Sequence, residues 1–216
     1  MKTAIVNEPQ DVVARLAELG LEVEPLQDVG RSWYMALKSS TPNHPRNYPG
    51  FCAWAEGVRQ LRDYLVPKDW ERLELGGYPL TLSPQKTHCI ALATGDENTG
   101  DPYQTPSNKA PKGPRTEQAV AANVVQYALF AEADLPEIEV DADEEKTTFI
   151  LLIHLDLMAK KIRMELSVPT SIHGGRIDHW EERIFLPDVP INGDELDFGN
   201  PPSGPDFDIE ITRKVA

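Results

Sequence analysis

The chain has 216 residues, enough for one domain with a substantial core or for two small ones, and 40% of them are hydrophobic, as is ordinary for a globular protein. Thirty-five Asp and Glu against 21 Lys and Arg give a formal net charge of −14 at pH 7. Such a surface repels nucleic-acid phosphates at long range, which argues against a general DNA or RNA binder. The longest strongly apolar run, Phe149-Ile-Leu-Leu-Ile, stops at His154, far short of the roughly 20 residues that a membrane span requires.

The opening MKTAIVNEPQDVV reaches Asn7, Glu8 and Pro9 before an apolar run develops, so no signal peptide is expected. The first predicted helix follows Glu8-Pro-Gln-Asp, with Val12, Val13, Leu16 and Leu19 at helical spacing and Gly20 as its stop. A second runs from about Asp28 to Ser39, with Val29, Trp33 and Leu37 on one stripe. In SSTPNHPRNYPG the prolines Pro42, Pro45 and Pro49 favour an extended connection. A third helix covers Phe51 to Leu65, where Trp54, Val58, Leu61 and Leu65 line one face. Residues 1–66 therefore read as a helical part. Cys52 and Cys89 fit neither a CxxC nor a Cys/His zinc spacing and read as core thiols of a cytoplasmic protein.

From residue 67 to 187 the pattern becomes mixed. Tyr78-Pro-Leu-Thr-Leu and His88-Cys-Ile-Ala-Leu-Ala read as short strands. A Pro- and Gly-rich loop, Ala93 to Gln118, follows, and its length marks it as functional or disordered. Its four prolines limit the entropy lost on ordering, so an ordered loop without regular structure is expected. Thr116 can cap a helix carrying Ala119, Val120, Val124, Tyr127 and Phe130. Three strands then follow, Thr147 to Leu157, Ile162 to Val168 and Arg176 to Leu186. In the second, Ile162, Met164, Leu166 and Val168 alternate with Arg163, Glu165 and Ser167, as on a sheet with one dry and one wet face. Residues 188–216, rich in Pro, Gly, Asn and Asp, read as an acidic, weakly ordered tail with a short strand at Phe207 to Thr212. The fold class is α+β, a helical N-terminal part before a mainly antiparallel β meander. About twenty residues separate the strand ending near Thr94 from the helix starting near Thr116, so the tight turn of a dinucleotide fingerprint is absent.

Charge singles out candidate binding surfaces. Residues 132–187 hold 13 acidic against six basic residues, and residues 188–216 seven against two. Ala131 to Glu145, AEADLPEIEVDADEE, contains no Lys or Arg, and Glu137, Glu139, Asp141, Asp143, Glu144 and Glu145 form a candidate acidic face. Lys109, Lys112 and Arg115 form a basic patch before a helix N-terminus, where anions are favoured. It lacks the GxxxxGK[ST] pattern, and the acidic groups of residues 132–145 or of a partner are expected to hold these cations. Thr94-Gly-Asp-Glu-Asn-Thr-Gly-Asp does not match an EF-hand and reads as a turn cluster. His154 and Asp156 share one strand face, and Asp178 and His179 lie near the following turn; together they are a candidate metal or acid–base set.

ATGDENTGDPYQTPSNKAPKGPRT and MELSVPTSIHGGRIDHWEERIFLP resemble stretches of uncharacterised proteins of bacteria and of their mobile elements or prophages. The resemblance carries no motif of assigned chemistry and implies only a bacterial, phage-linked setting. Two functional expectations result. The first is a non-catalytic acidic protein without a cofactor. It binds another protein or a nucleic-acid-binding complex, masking a basic surface in phage defence or counter-defence. The alternative is a metal-dependent hydrolase or nuclease using His154, Asp156, Asp178 and His179.

Overall fold

A computed structural model describes residues 3–130 and 146–191. Among these residues seven strands form one mixed sheet: β1 (Ala4–Val6), β2 (Glu71–Leu75), β3 (Tyr78–Leu82), β4 (His88–Thr94), β5 (Thr147–Asp156), β6 (Lys161–His173) and β7 (Arg176–Pro190). Their spatial order is β1-β7-β6-β5-β4-β3-β2. Three helices, α1 (Pro9–Glu18), α2 (Val23–Lys38) and α3 (Tyr48–Leu65), precede β2, and α4 (Pro114–Phe130) precedes β5. The architecture is α+β.

The helices start earlier than the prolines suggest. Pro25 lies in the first turn of α2 and Pro49 in that of α3. There the missing N–H is one that a helix leaves unpaired anyway, so both prolines are accommodated. The inner faces of α1, α2 and α3 share one core with the sheet, built on Leu16, Leu26, Trp33 and Leu61 against Leu92, Leu151, Ile153 and Met164. Close approach is set by small residues. A Cβ on Gly57 would lie 2.9 Å from the Leu92 side chain, and Trp54 Nε1 donates to Leu92 O at 3.2 Å.

The meander is not purely antiparallel. β4 and β5 run parallel, as do β1 and β7. β4 is buried from His88 to Ala93 and β5 from Thr148 to Ile153, which is the environment of a parallel pair covered on two faces. The connection between them contains the long loop and α4, ample for a crossover. β1 and β2, absent from the sequence reading, are the edge strands among the described residues: one has three residues and the other, Glu-Arg-Leu-Glu-Leu, is largely charged.

The face of β6 read as wet is dry. Glu165 and Ser167 are fully buried, on the side of the sheet opposite the three N-terminal helices. Pro169 interrupts the β6–β7 ladder, whose register shifts between Val168 and Ile172, because proline offers no N–H. The far end of that hairpin carries Ile172, Ile177 and Trp180 into a second core with Cys89, Ala91, Ala93, Ile150 and Leu152. Along β4 the side chains facing this second core are Cys, Ala and Ala, whereas Ile90 and Leu92 face the helices. The small residues leave room for the hairpin.

Candidate functional site

Residues 95–113 contain no helix or strand apart from a single bridge between Gly95 and Asn108. The bridge brings the two stems together, with Lys109 N donating to Thr94 O at 2.8 Å and Asp96 N to Ser107 O at 2.9 Å. Beyond them the loop is fastened to groups projecting from β6 and β7. Arg183, 4% exposed at its side chain, makes a two-point ion pair with fully buried Glu165, at 2.6 Å and 3.0 Å. Both partners also bind loop backbone. Gly100 N donates to Glu165 Oε2 at 2.8 Å, while Arg183 donates to Gln104 O at 2.8 Å and Asp101 O at 3.1 Å. Ser167 Oγ completes the set by donating to Glu165 Oε1 at 2.8 Å. A buried charge pair is tolerated only when its remaining hydrogen-bonding positions are filled, and here loop backbone fills most of them.

Three further anchors act along the loop. Trp180 Nε1 donates to Pro106 O at 2.8 Å, and Arg163 donates to Glu97 O at 2.7 Å. Asn108, fully buried, donates from Nδ2 to Gly175 O at 2.8 Å and accepts from Ile177 N at 2.9 Å. The hairpin and the loop meet so closely at Gly175 that a Cβ there would lie 2.7 Å from Lys112 O. Against these anchors, Tyr103, Gln104 and Thr105 form an exposed tip between Pro102 and Pro106, with the Tyr103 side chain among the most exposed large groups at 91%. Tyr103 N donates to Asp101 Oδ1 at 2.8 Å, fixing the turn.

The residues singled out by sequence are placed as follows. Glu137, Glu139, Asp141, Asp143, Glu144 and Glu145, and residues 192–216 of the expected tail with its strand at 207–212, lie outside the described residues, whereas Asp188, Val189 and Pro190, read as the start of that tail, continue β7. Lys109 is exposed beside His154, while Lys112 is half-buried. Arg115 is exposed, donates to Gln118 at 3.0 Å and lies against the β2–β3 turn at Gly76. Asp156 accepts from Ala159 N at 2.9 Å and pairs with Arg163 at 3.3 Å. Asp178 instead faces His173 across the β6–β7 hairpin at 2.6 Å. Among the described residues, no group of three or more His, Cys, Asp or Glu side chains is placed to hold a metal ion. His154, Asp156, Asp178 and His179 therefore do not form one metal site. The buried pair Glu165 and Arg183, with Asn108 and Trp180, was not found from sequence. Nothing in the sequence separates the pair from the other charges of the same strands, such as Arg163, Glu181 and Glu182.

Burial pushes the His154 imidazole below its ordinary value, with Arg163 adding in the same direction, and burial does the same at His88. Below about 6.5 the unfolded chain then binds protons that these two histidines in the folded protein do not. Their contribution to stability is thus present above that pH and is lost as the pH falls through and below it. Asp96, raised by burial, acts in the opposite sense at lower pH, because its folded form takes up a proton first. The urea midpoint is expected to drop as the pH falls from neutral to mildly acidic, and His154→Gln is expected to flatten that dependence. An unchanged slope in the variant would remove His154 from the account. Comparison with protein-family models, with curated proteins and with solved structures finds no match for this chain.

Proposed function

We propose that this is a non-catalytic interaction protein that binds another macromolecule, with the anchored loop at residues 95–113 as its contact surface. The observation that carries the reading is the contrast within the loop: its backbone is held by buried side chains while Tyr103 stands in solvent. A loop fixed before binding loses little entropy on association, and tyrosine is a frequent energetic anchor of interfaces. Loops on a stable scaffold are also where binding functions concentrate.

Charge supplies the class of partner. With a net charge of −14 and two stretches free of Lys and Arg, residues 131–145 and 188–210, the chain is steered toward basic surfaces, including those that proteins use to hold nucleic acid. Masking such a surface in phage defence or counter-defence is the setting proposed. Retention of partners from cells that produce the protein tests the reading, with wild type compared with Tyr103→Ala and with charge reversal at Glu137, Glu139, Asp141 and Asp143. Loss of one nucleic-acid-binding partner from both variants is expected. Equal recovery by all three proteins would overturn the proposal.

A further inference from the structure

We propose that two copies of this chain pair antiparallel along the outer edge of β2, about a two-fold axis at Leu73, to form one continuous sheet. Among the described residues β2 ends the sheet, and Glu71, Arg72, Glu74 and Leu75 are exposed. Gly76 and Gly77, with φ of +58° and +83°, join β2 to β3 in a two-residue turn. Such a turn is closed by a pair that exchanges both hydrogen bonds, here Leu75 with Tyr78. Antiparallel ladders alternate, so Leu73 and Glu71 also direct their main chain toward β3, whereas the N–H and C=O groups of Arg72 and Glu74 face outward. Pro79 opposite Glu74 agrees with this, since a residue without an N–H fits a position that makes no bond to β2.

A second copy placed on this edge sets Arg72 opposite the partner's Glu74, and Glu74 opposite the partner's Arg72. Each of these pairs exchanges two main-chain hydrogen bonds and brings opposite charges together on one face. On the other face Leu73 meets the partner's Leu73. The sequence selects this register. A shift by two residues either way places Arg72 against the partner's Arg72, or Glu74 against the partner's Glu74, and like charges directly opposite are unfavourable. Glu74 already pairs with Arg62 of α3 at 2.8 Å, but its side chain remains 55% exposed and can accept from the partner as well. Charges that deter unrelated strands from an edge here suit the strand's own copy.

The test is the mass in solution by light scattering across a concentration series. Wild type is expected to rise from the 24.1 kDa of one chain toward twice that mass. Arg72→Glu and Glu74→Arg are each expected to lose the dimer, since each opposes like charges in both pairs. Both substitutions are on exposed positions, and circular dichroism checks that the variants fold. Mixed in equal amounts, the two variants are expected to recover the dimer, because each copy then supplies the charge that the other needs. A wild-type mass of one chain throughout, variants that dimerise as wild type does, or a mixture that stays monomeric would each overturn the proposal. Slow hydrogen exchange at the Arg72 and Glu74 amides in a monomer would likewise overturn it, since another segment of the same chain would then cover the edge.

Discussion

Arg183→Met is expected to lower stability by about 3–5 kcal/mol, the range for breaking a buried ion pair by removing one partner. The variant leaves the Glu165 carboxylate uncompensated in a site with no exposure, and deprives Asp101 O and Gln104 O of their donor. Urea unfolding measures the loss. The reverse truncation, Glu165→Leu, strands the Arg183 guanidinium and the Gly100 N–H in the same way. Combining the two replaces the pair by apolar groups and is expected to recover much of the global stability, since such exchanges are often close to neutral. It does not restore the fastening of the loop. Limited proteolysis at Lys109 is therefore expected to remain fast in the double variant while the urea midpoint returns toward wild type. If cleavage and midpoint recover together, the pair serves the core and not the loop.

Trp180→Ala is expected to cost about 3–5 kcal/mol, the usual range for truncating a large buried aromatic group. Trp180 is fully buried and packs with Ile177, Leu152 and the small residues of β4, so its removal opens a cavity between the hairpin and the sheet. Trp180→Phe separates packing from hydrogen bonding. It keeps most of the apolar area but loses the Nε1–H that reaches Pro106 O. The expected loss is about 0.5–1.5 kcal/mol for the bond, rising toward about 3 kcal/mol if the carbonyl stays buried and unpaired. Equal costs for the two substitutions would mean that the bond to Pro106, and not the packing, carries the effect.

Much of the secondary structure was legible because local signals agreed. The apolar spacing of Val12 and Leu16, and of Trp54, Leu61 and Leu65, located α1 and α3, and the alternation in β6 located that strand. The pairing of strands was not legible in the same way. β4 and β5 are separated by more than fifty residues, and antiparallel order was the simplest connection for the short strands around them. Their parallel arrangement has one sequence trace, the continuous burial-compatible run Phe149 to Ile153, which suits a strand covered on both faces.

The candidate site was hidden for a related reason. Arg163, Glu165 and Ser167 show the alternation of a solvent-facing strand, and periodicity cannot distinguish water from a loop folded over the same face. What makes Glu165 a buried group is Arg183, 18 residues away on the next strand, together with backbone from residue 100. Histidine and aspartate stood out by residue type, by the strand face that His154 and Asp156 share, and by the nearness of Asp178 and His179 to a turn. Their partners in the fold, Arg163 for Asp156 and His173 for Asp178, are ordinary ion pairs and hydrogen bonds. Residue type proposes chemistry, but tertiary pairing decides whether the chemistry is gathered at one place.

The central claim is that residues 95–113 present Tyr103 from a backbone fixed before any partner arrives. Amide hydrogen exchange of the isolated protein at Gly100 tests it most directly, because that N–H is bonded to the buried Glu165 carboxylate. The account predicts slow exchange at Gly100 in wild type, comparable to the amides of β5, and fast exchange in Arg183→Met under conditions where β5 stays protected. Fast exchange at Gly100 in the wild-type protein would contradict it.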